Sequence, residues 1–354
     1  MTCQANCWIL SGLGRDVAGA RVASKLGGVT RRLAEVAKYV GVSEATVSRV
    51  LNGKPGISES TRTAVLTALD VLGYERPVKL RGERARLVGL VLPELQNPIF
   101  PAFAEVVAGA LAQRGFTPVL CTRTEDGVSE GAYVDILLEQ QVSGVIFAGG
   151  NYAQADADHG HYLKLKERGL PVVLVNAAIE GLGFPVVSAD DRVAVRQAFG
   201  HLKSLGHSTI GLLVGPSDHV PSGRKVAEFP DLPVARTLYS MEGAQAAATR
   251  LIKEGVTGLI CASDIMALGA IRGARRMGLN VPDDVSVIGF DDSMFMACTD
   301  PPLTTVRQPI GDMAQTAVAL LVTQIEGGEV AADEYFFDPE LVVRASTQPP
   351  SRKK

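Results

Sequence analysis

The chain has 354 residues, 46% of them hydrophobic and 21% charged, with 37 Gly, 19 Pro and a formal net charge of −3. That length allows two or three domains and a sizeable core without staples, and the composition excludes collagen, long disorder and coiled-coil rods. No apolar run reaches the roughly 18 residues of a membrane span, the five cysteines (Cys3, Cys7, Cys121, Cys261, Cys298) contain no CxxC, and there is no signal-peptide pattern, so a reduced cytoplasmic setting with no membrane partner is expected.

Charge is unevenly spread. Residues 29–86 carry eleven Lys and Arg against six Asp and Glu, whereas residues 87–354 carry twenty-one against thirty-one. A small basic head on a large acidic body suggests that the head meets a polyanion while the body does something else. Residues 1–28 have neither a helical nor a strand period. Their Gly12-Leu13-Gly14 and Gly19 lack the spacing and the preceding strand of a dinucleotide loop, so a disordered extension is expected there.

Leu33, Val36, Ala37 and Val40 fall at i, i+3, i+4 and i+7, which predicts a short amphipathic helix over residues 32–40. Gly41-Val42 makes a tight turn and Ser43 caps a second helix, in which Val47, Val50 and Leu51 share one face. Gly53-Lys54-Pro55-Gly56 breaks the chain, Ser58 caps a third helix with Val65, Ala68, Leu69 and Leu72 on its apolar positions, and Gly73 stops it. Three short helices with a tight turn between the first two make a helix-turn-helix plan. The second helix then presents a polar face to a major groove, where its N-terminal side chains reach base edges. Glu44 and Ala45 lead that face, Thr46, Ser48 and Arg49 reach bases or phosphates, and Asn52, Lys54, Ser58 and Thr61 are candidate phosphate anchors. The shape alone also fits a small helical bundle for protein contacts.

The wording of the segment goes further than its period. Leu33-Ala34-Glu35-Val36-Ala37, then Gly41-Val42-Ser43-Glu44-Ala45-Thr46-Val47-Ser48-Arg49-Val50-Leu51-Asn52-Gly53, closely resembles the signature of the LacI/GalR repressor family. Ser58-Glu59-Ser60-Thr61-Arg62 and Leu72-Gly73-Tyr74 are similar to that family's third helix. The resemblance implies an all-α DNA-binding head over residues 29–74, with Leu33 counted among its contacts and with Glu44 and Ala45 setting operator preference. Family members often begin near the position of Val29, so residues 1–28 are either a disordered leader or a mis-assigned start.

Residues 75–86 hold five Lys and Arg among several breakers and read as a flexible basic hinge. The family's equivalent folds on operator DNA and wedges paired leucines into the minor groove; Leu80 is the residue here that matches. The stretch is a few residues shorter than the family pattern.

From residue 87 to 354, apolar runs alternate with helical segments. The runs include 87–92, 118–121, 144–147, 172–175, 210–214, 259–261 and 285–290; the helical segments include 103–114, 134–140, 192–204, 241–253 and 265–276. Such alternation predicts parallel sheets covered on both faces. The series restarts near residue 208, which predicts two α/β lobes around a cleft. Ligands bind beyond the carboxyl ends of strands in such sheets. Those ends carry Pro93-Glu94, Asn176, Asp190-Asp191, Asp264 and Asp291-Asp292. Carboxylates accept hydroxyl hydrogen bonds and a ring such as Phe100 covers an apolar sugar face, although each acid taken singly is also an ordinary helix cap.

The resemblance continues through Leu87–Val91, Asn97–Phe100, Ala262–Ala270, Val281–Asp292 and Pro302–Val306. It implies a periplasmic-binding-protein-like core that binds a small effector, often a sugar or nucleoside, and forms a homodimer or a dimer of dimers. Asp264 and Asp291 match the family's effector contacts, and Glu94, Phe100 and Asn176 match by position. Near Ser222-Gly223 the family's effector-binding arginine is displaced, so either Arg224 or Lys225 is expected to serve. After Phe229 the chain passes through Pro230-Asp231-Leu232-Pro233 with a shorter helix and loop than the family has, which would alter the cleft or weaken the second lobe. There is no GxSxG, P-loop, HExxH or close Cys/His pair, and the histidines lack metal spacing; His159 and His161 fall in a loop-like stretch. No catalytic residue, metal or cofactor is therefore expected. A plain solute-binding protein and a sugar-processing enzyme are the rival readings of the body; the expected function is a transcriptional regulator, acting as a repressor on a pseudo-palindromic operator under control of a small effector.

Overall fold

The computed structural model describes residues 33–51, 54, 56–72, 86–123 and 127–351. Residues 1–28, Asn52, Gly73, most of the hinge and Leu80 lie outside the described residues. The chain divides into two units, residues 1–85 and residues 86–354.

In the first unit, α1 spans residues 33–40, α2 Glu44–Leu51 and α3 Glu59–Val71. Gly41 takes φ 77°, which lets Gly41 and Val42 both donate their N–H groups to the Ala37 carbonyl and end α1 within one residue. The hydroxyl of Ser43 accepts the Thr46 N–H at 3.1 Å, and that of Ser58 accepts the Thr61 N–H at 3.2 Å. Each cap satisfies an orphan donor and is worth about 1 kcal/mol. Val36, Ala37, Val47, Val50, Val65, Ala68 and Leu69 form one buried cluster, so both α1 and α3 hold the apolar face of α2. That fixes which side of α2 is left to solvent.

The second unit holds two six-stranded sheets. In chain order the elements of the first lobe are β1 Leu87–Leu92, α4 Ile99–Ala112, β2 Thr117–Thr122, α5 Glu130–Glu139, β3 Gly144–Ala148, α6 Gly160–Glu167, β4 Val172–Val175 and β5 Val186–Ala189. Those of the second are α7 Asp191–Ser204, β6 Ile210–Val214, α8 Val220–Glu228, β7 Val234–Arg236, α9 Met241–Lys253, β8 Gly258–Cys261, α10 Asp264–Arg276, β9 Ser286–Asp291 and β10 Thr304–Arg307. The chain then returns to the first lobe through α11 Ile310–Ile325 and β11 Glu334–Phe337, and crosses again into β12 Glu340–Val342. Sheet order is β11-β5-β4-β3-β1-β2 in one lobe and β12-β10-β9-β8-β6-β7 in the other; every pairing is parallel except β10 with β12. Every residue of β3, β4, β5, β8 and β9 is buried, because helices cover both faces.

The two-lobed α/β core is the expected one. The strands β5, β7, β10, β11 and β12 and the helices α6, α8 and α11 add to the expected set. His161 lies inside α6 rather than in a loop, and His159 precedes that helix. The short segment after Phe229 leaves the second sheet complete: Phe229 stacks on Phe199 with ring centroids 4.2 Å apart, and Leu232 packs on the same core before β7 begins.

Candidate functional site

In the head, burial of Val47 and Val50 turns Glu44, Ala45 and Arg49 outward as exposed side chains, with Thr46 and Ser48 half-buried beside them. Thr46 also hydrogen-bonds the Ser43 hydroxyl at 2.9 Å, so the cap and the leading turn of α2 are one unit. The Arg49 guanidinium runs past Gly56, where a Cβ would stand 3.3 Å from Nη2. Lys54 and Ser58 are exposed; Ser58 Oγ meets Thr61 Oγ1 at 2.7 Å. Leu33 is half-buried against the head's own apolar cluster, a packing position.

In the second unit, the carboxyl ends of the strands of both lobes converge. Asp291 closes β9 with φ 122° and is buried, accepting Gln308 Nε2 at 2.7 Å and Asn97 Nδ2 at 3.3 Å. Gln308 follows β10, and its Oε1 accepts Asn176 Nδ2 at 3.3 Å. Asn176 follows β4 in left-handed backbone, φ 68°, with Oδ1 accepting the Ala189 N–H at 3.4 Å. A chain of amides and one carboxyl thus runs from the second lobe to the first. Two of its members, Asp291 and Asn176, were expected from sequence; Asn97 and Gln308 were not, and the signal that offers Gln308 is an amide immediately after a strand.

Asp264, at the start of α10, has no exposed surface; Thr305 Oγ1 reaches its Oδ1 at 2.5 Å and the Ser293 N–H reaches its Oδ2 at 2.7 Å. It orients the loop after β9 from behind. Gly289 is required there, since a Cβ would lie 2.4 Å from Asp264 Oδ1. Glu94 and Phe100 are half-buried at the first lobe's strand ends. Arg224 and Lys225 divide the expected cationic role between two partners. Lys225 is buried, pairs with Asp191 and lies 4.3 Å from the centroid of the Phe290 ring. Arg224 pairs with Glu334 at 2.7 and 2.6 Å.

Burial dominates the electrostatics. It pushes Asp264 up to about 6, and it raises Asp291, with the neighbouring Asp264 charge adding to the effect. Burial also raises Glu94 and Asp191, the latter against the opposing pull of Lys225. His219 is held down at about 4 by burial and then by the Lys225 charge. Carboxyls, amides and one ammonium on an apolar floor suit a ligand rich in hydroxyls. Among the described residues no group of three or more His, Cys, Asp or Glu is arranged to hold a metal ion, and no helix is long and apolar enough to cross a membrane.

A profile of bacterial regulatory proteins, lacI family, matches residues 32–76, and one of a periplasmic binding protein-like domain matches residues 199–347. The chain is 54% identical over 330 residues to an uncharacterized HTH-type transcriptional regulator in the aml 5' region of Streptomyces limosus, covering 89% of this chain and 94% of that one. It is 50% identical over 335 residues to the HTH-type transcriptional regulator MalR of Streptomyces coelicolor, covering 90% and 97%. Among solved structures, a transcriptional regulator CelR–cellobiose complex aligns with TM-score 0.67 and 30% identity over 89% of this chain and 99% of that one. The lac repressor dimer bound to operator and the anti-inducer ONPF aligns with TM-score 0.66 and 28% identity over 88% and 98%. With a relative 54% identical along nearly its whole length and a matching helix-turn-helix profile, the chain belongs to the lacI family of bacterial transcriptional regulators, which are not enzymes.

Proposed function

We propose that this regulator represses transcription from a pseudo-palindromic operator in the cytoplasm, as a homodimer or a dimer of dimers, and that a neutral sugar of about disaccharide size controls its operator affinity. Two copies of α2 read two half-sites, because a two-fold protein pairs with a two-fold site. Glu44, Ala45, Thr46, Ser48 and Arg49 face the bases; Lys54, Ser58 and Thr61, together with Asn52 and Leu80, complete the grip. In the cleft Asp291, Asn176 and Lys225 take sugar hydroxyls, Phe100 covers an apolar face, Glu94 stands at the rim, and Asp264 and Arg224 hold the walls.

The observation that carries this reading is the polar chain Asn97–Asp291–Gln308–Asn176, whose members a polyhydroxylated guest engages in place of one another. Arg224 and Lys225 are each already paired with a carboxylate, Glu334 and Asp191, which disfavours an anionic guest. The cellobiose complex of the aligned regulator points the same way.

Selection from random duplexes, followed by salt titration, tests the first half. A near-symmetric site should emerge, with affinity falling steeply as salt rises. Cellobiose, lactose, maltose and ribose are then added to the bound operator; a coupling of about 5- to 150-fold is expected for one of the disaccharides. No preference over competitor DNA would remove the regulator reading, and indifference to every sugar would remove the effector class.

A further inference from the structure

We propose that Glu334 is the positioning residue of a latch that joins the two lobes and, through Ser188, sets the geometry of Asn176. The proposal rests on reading the cleft as the effector site, but its first test needs no effector.

Arg224 belongs to α8 of the second lobe and Glu334 to β11 of the first. They meet as a two-pronged pair at 2.7 and 2.6 Å, with 18% and 20% of their side chains exposed. The guanidinium carbon also lies 5.5 Å from the centroid of the Phe336 ring, two residues along β11. A fork of this kind fixes direction as well as distance. The carboxylate does a second thing: Oε1 accepts the Ser188 hydroxyl at 2.6 Å. Ser188 is 1% exposed, and its oxygen accepts the Ala177 N–H at 2.7 Å. A hydroxyl has one proton. With that proton committed to Glu334, the lone pairs of Ser188 are aimed at Ala177, and Ala177 follows Asn176 in left-handed backbone, φ 66° and 68°. Two successive non-glycine residues in that region persist only when their surroundings hold them. The ion pair between lobes is therefore wired to the backbone of an effector-site residue.

A further contact between the lobes involves neither Glu334 nor Ser188 and reports closure: the Ala155 N–H of the first lobe donates to the Asp218 carbonyl of the second at 2.9 Å. Exchange of the Ala155 and Ala177 amides, resolved by fragmentation on the full-length protein, separates the two roles. Glu334→Ala should speed exchange at both amides by about three- to tenfold, the weight of a good, partly exposed ion pair, whereas Glu334→Gln, whose amide oxygen still accepts the Ser188 hydroxyl, should speed Ala155 alone. Ser188→Ala should speed Ala177 alone. The exchanged pair Arg224→Glu/Glu334→Arg should restore protection at Ala155 but not at Ala177, because a guanidinium cannot accept the Ser188 proton. Protection of the α9–α10 helices unchanged in each variant shows that the fold is intact. Ala155 exchange within twofold of wild type in both Glu334 variants would overturn the latch, as would Ala177 protection regained in the exchanged pair. Calorimetric titration with cellobiose, lactose and maltose then reads the consequence: a Kd weakened about three- to tenfold by Glu334→Gln. If wild type binds none of the three, the effector class fails while the exchange result on the latch still stands.

Discussion

Lys225→Met removes the ammonium from a pair in which both side chains are almost wholly buried, with 6% and 7% exposed. Breaking such a pair from one side leaves an uncompensated carboxylate and costs about 3–5 kcal/mol, to which loss of the contact with the Phe290 ring adds about 1 kcal/mol. The sign with pH follows from Asp191. Burial already raises its pKa above the ordinary 3.8, and Lys225 is the main influence pulling it back. Without that ammonium the folded-state value climbs further. A carboxyl whose folded pKa exceeds its unfolded value gives stability that is complete below the unfolded pKa and is lost as pH rises through the folded one. The deficit of Lys225→Met should therefore be full at pH 8 and shrink as pH falls towards the unfolded value. Urea unfolding at pH 8 and pH 5, followed by two probes to check cooperativity, measures it. Adding Asp191→Asn should return all but about 1 kcal/mol, since neutralising both partners removes the stranded charge. A deficit below about 1 kcal/mol at pH 8, an equal deficit at both pH values, or a double variant no more stable than the single would refute this account of the cleft.

Arg49→Ala should weaken binding to the selected operator more than binding to random duplex, by about 1–3 kcal/mol if the guanidinium reads a base; equal losses, with the salt slope reduced by about one, would assign it to a phosphate instead. Ser43→Ala removes the α2 cap and should cost the head about 1 kcal/mol in thermal unfolding while leaving the core transition in place, and an unmoved head would show that the Thr46 N–H finds another acceptor. Asp264, with its pKa raised from 3.8 to about 6, contributes stability below the lower value that is lost as pH rises through the higher one. Wild-type core stability should thus decline between about pH 4 and 6, and Asp264→Asn should flatten that decline; an unchanged slope in melts across that range would locate the titration elsewhere.

The head was legible because each of its three helices carries a 3.6-residue apolar period, and the second and third each begin at a serine cap. The long central strands were legible because helices cover both faces, leaving β3, β4, β6 and β8 as continuous apolar runs. Shorter or half-exposed elements gave weaker signals: β7 is three residues long, and β11, Glu-Tyr-Phe-Phe, is only partly buried. For the site, sequence supplied the strand-end residues but not their partners. Nothing local in Glu334 points to Arg224, 110 positions away, or to Ser188, 146 positions away. Asp264 is a second case: its place after a strand was legible, but its donors, Thr305 and the Ser293 N–H, lie 41 and 29 positions away. The carboxylates that Arg224 and Lys225 meet, Glu334 and Asp191, are likewise set by the fold and not by their neighbours in sequence.

The order in which the ribosome releases these elements has a consequence of its own. One edge strand of each core sheet, β11 in one and β12 in the other, comes from a single short stretch, residues 334–342, that follows every other strand of both sheets. Until that stretch emerges, neither lobe can complete its edge, even though the helices that read DNA have been outside the tunnel for more than 200 residues. A nascent or prematurely terminated chain therefore carries finished recognition helices on an unfinished sensor, and shortening the gene from its 3′ end should damage both lobes together rather than one at a time.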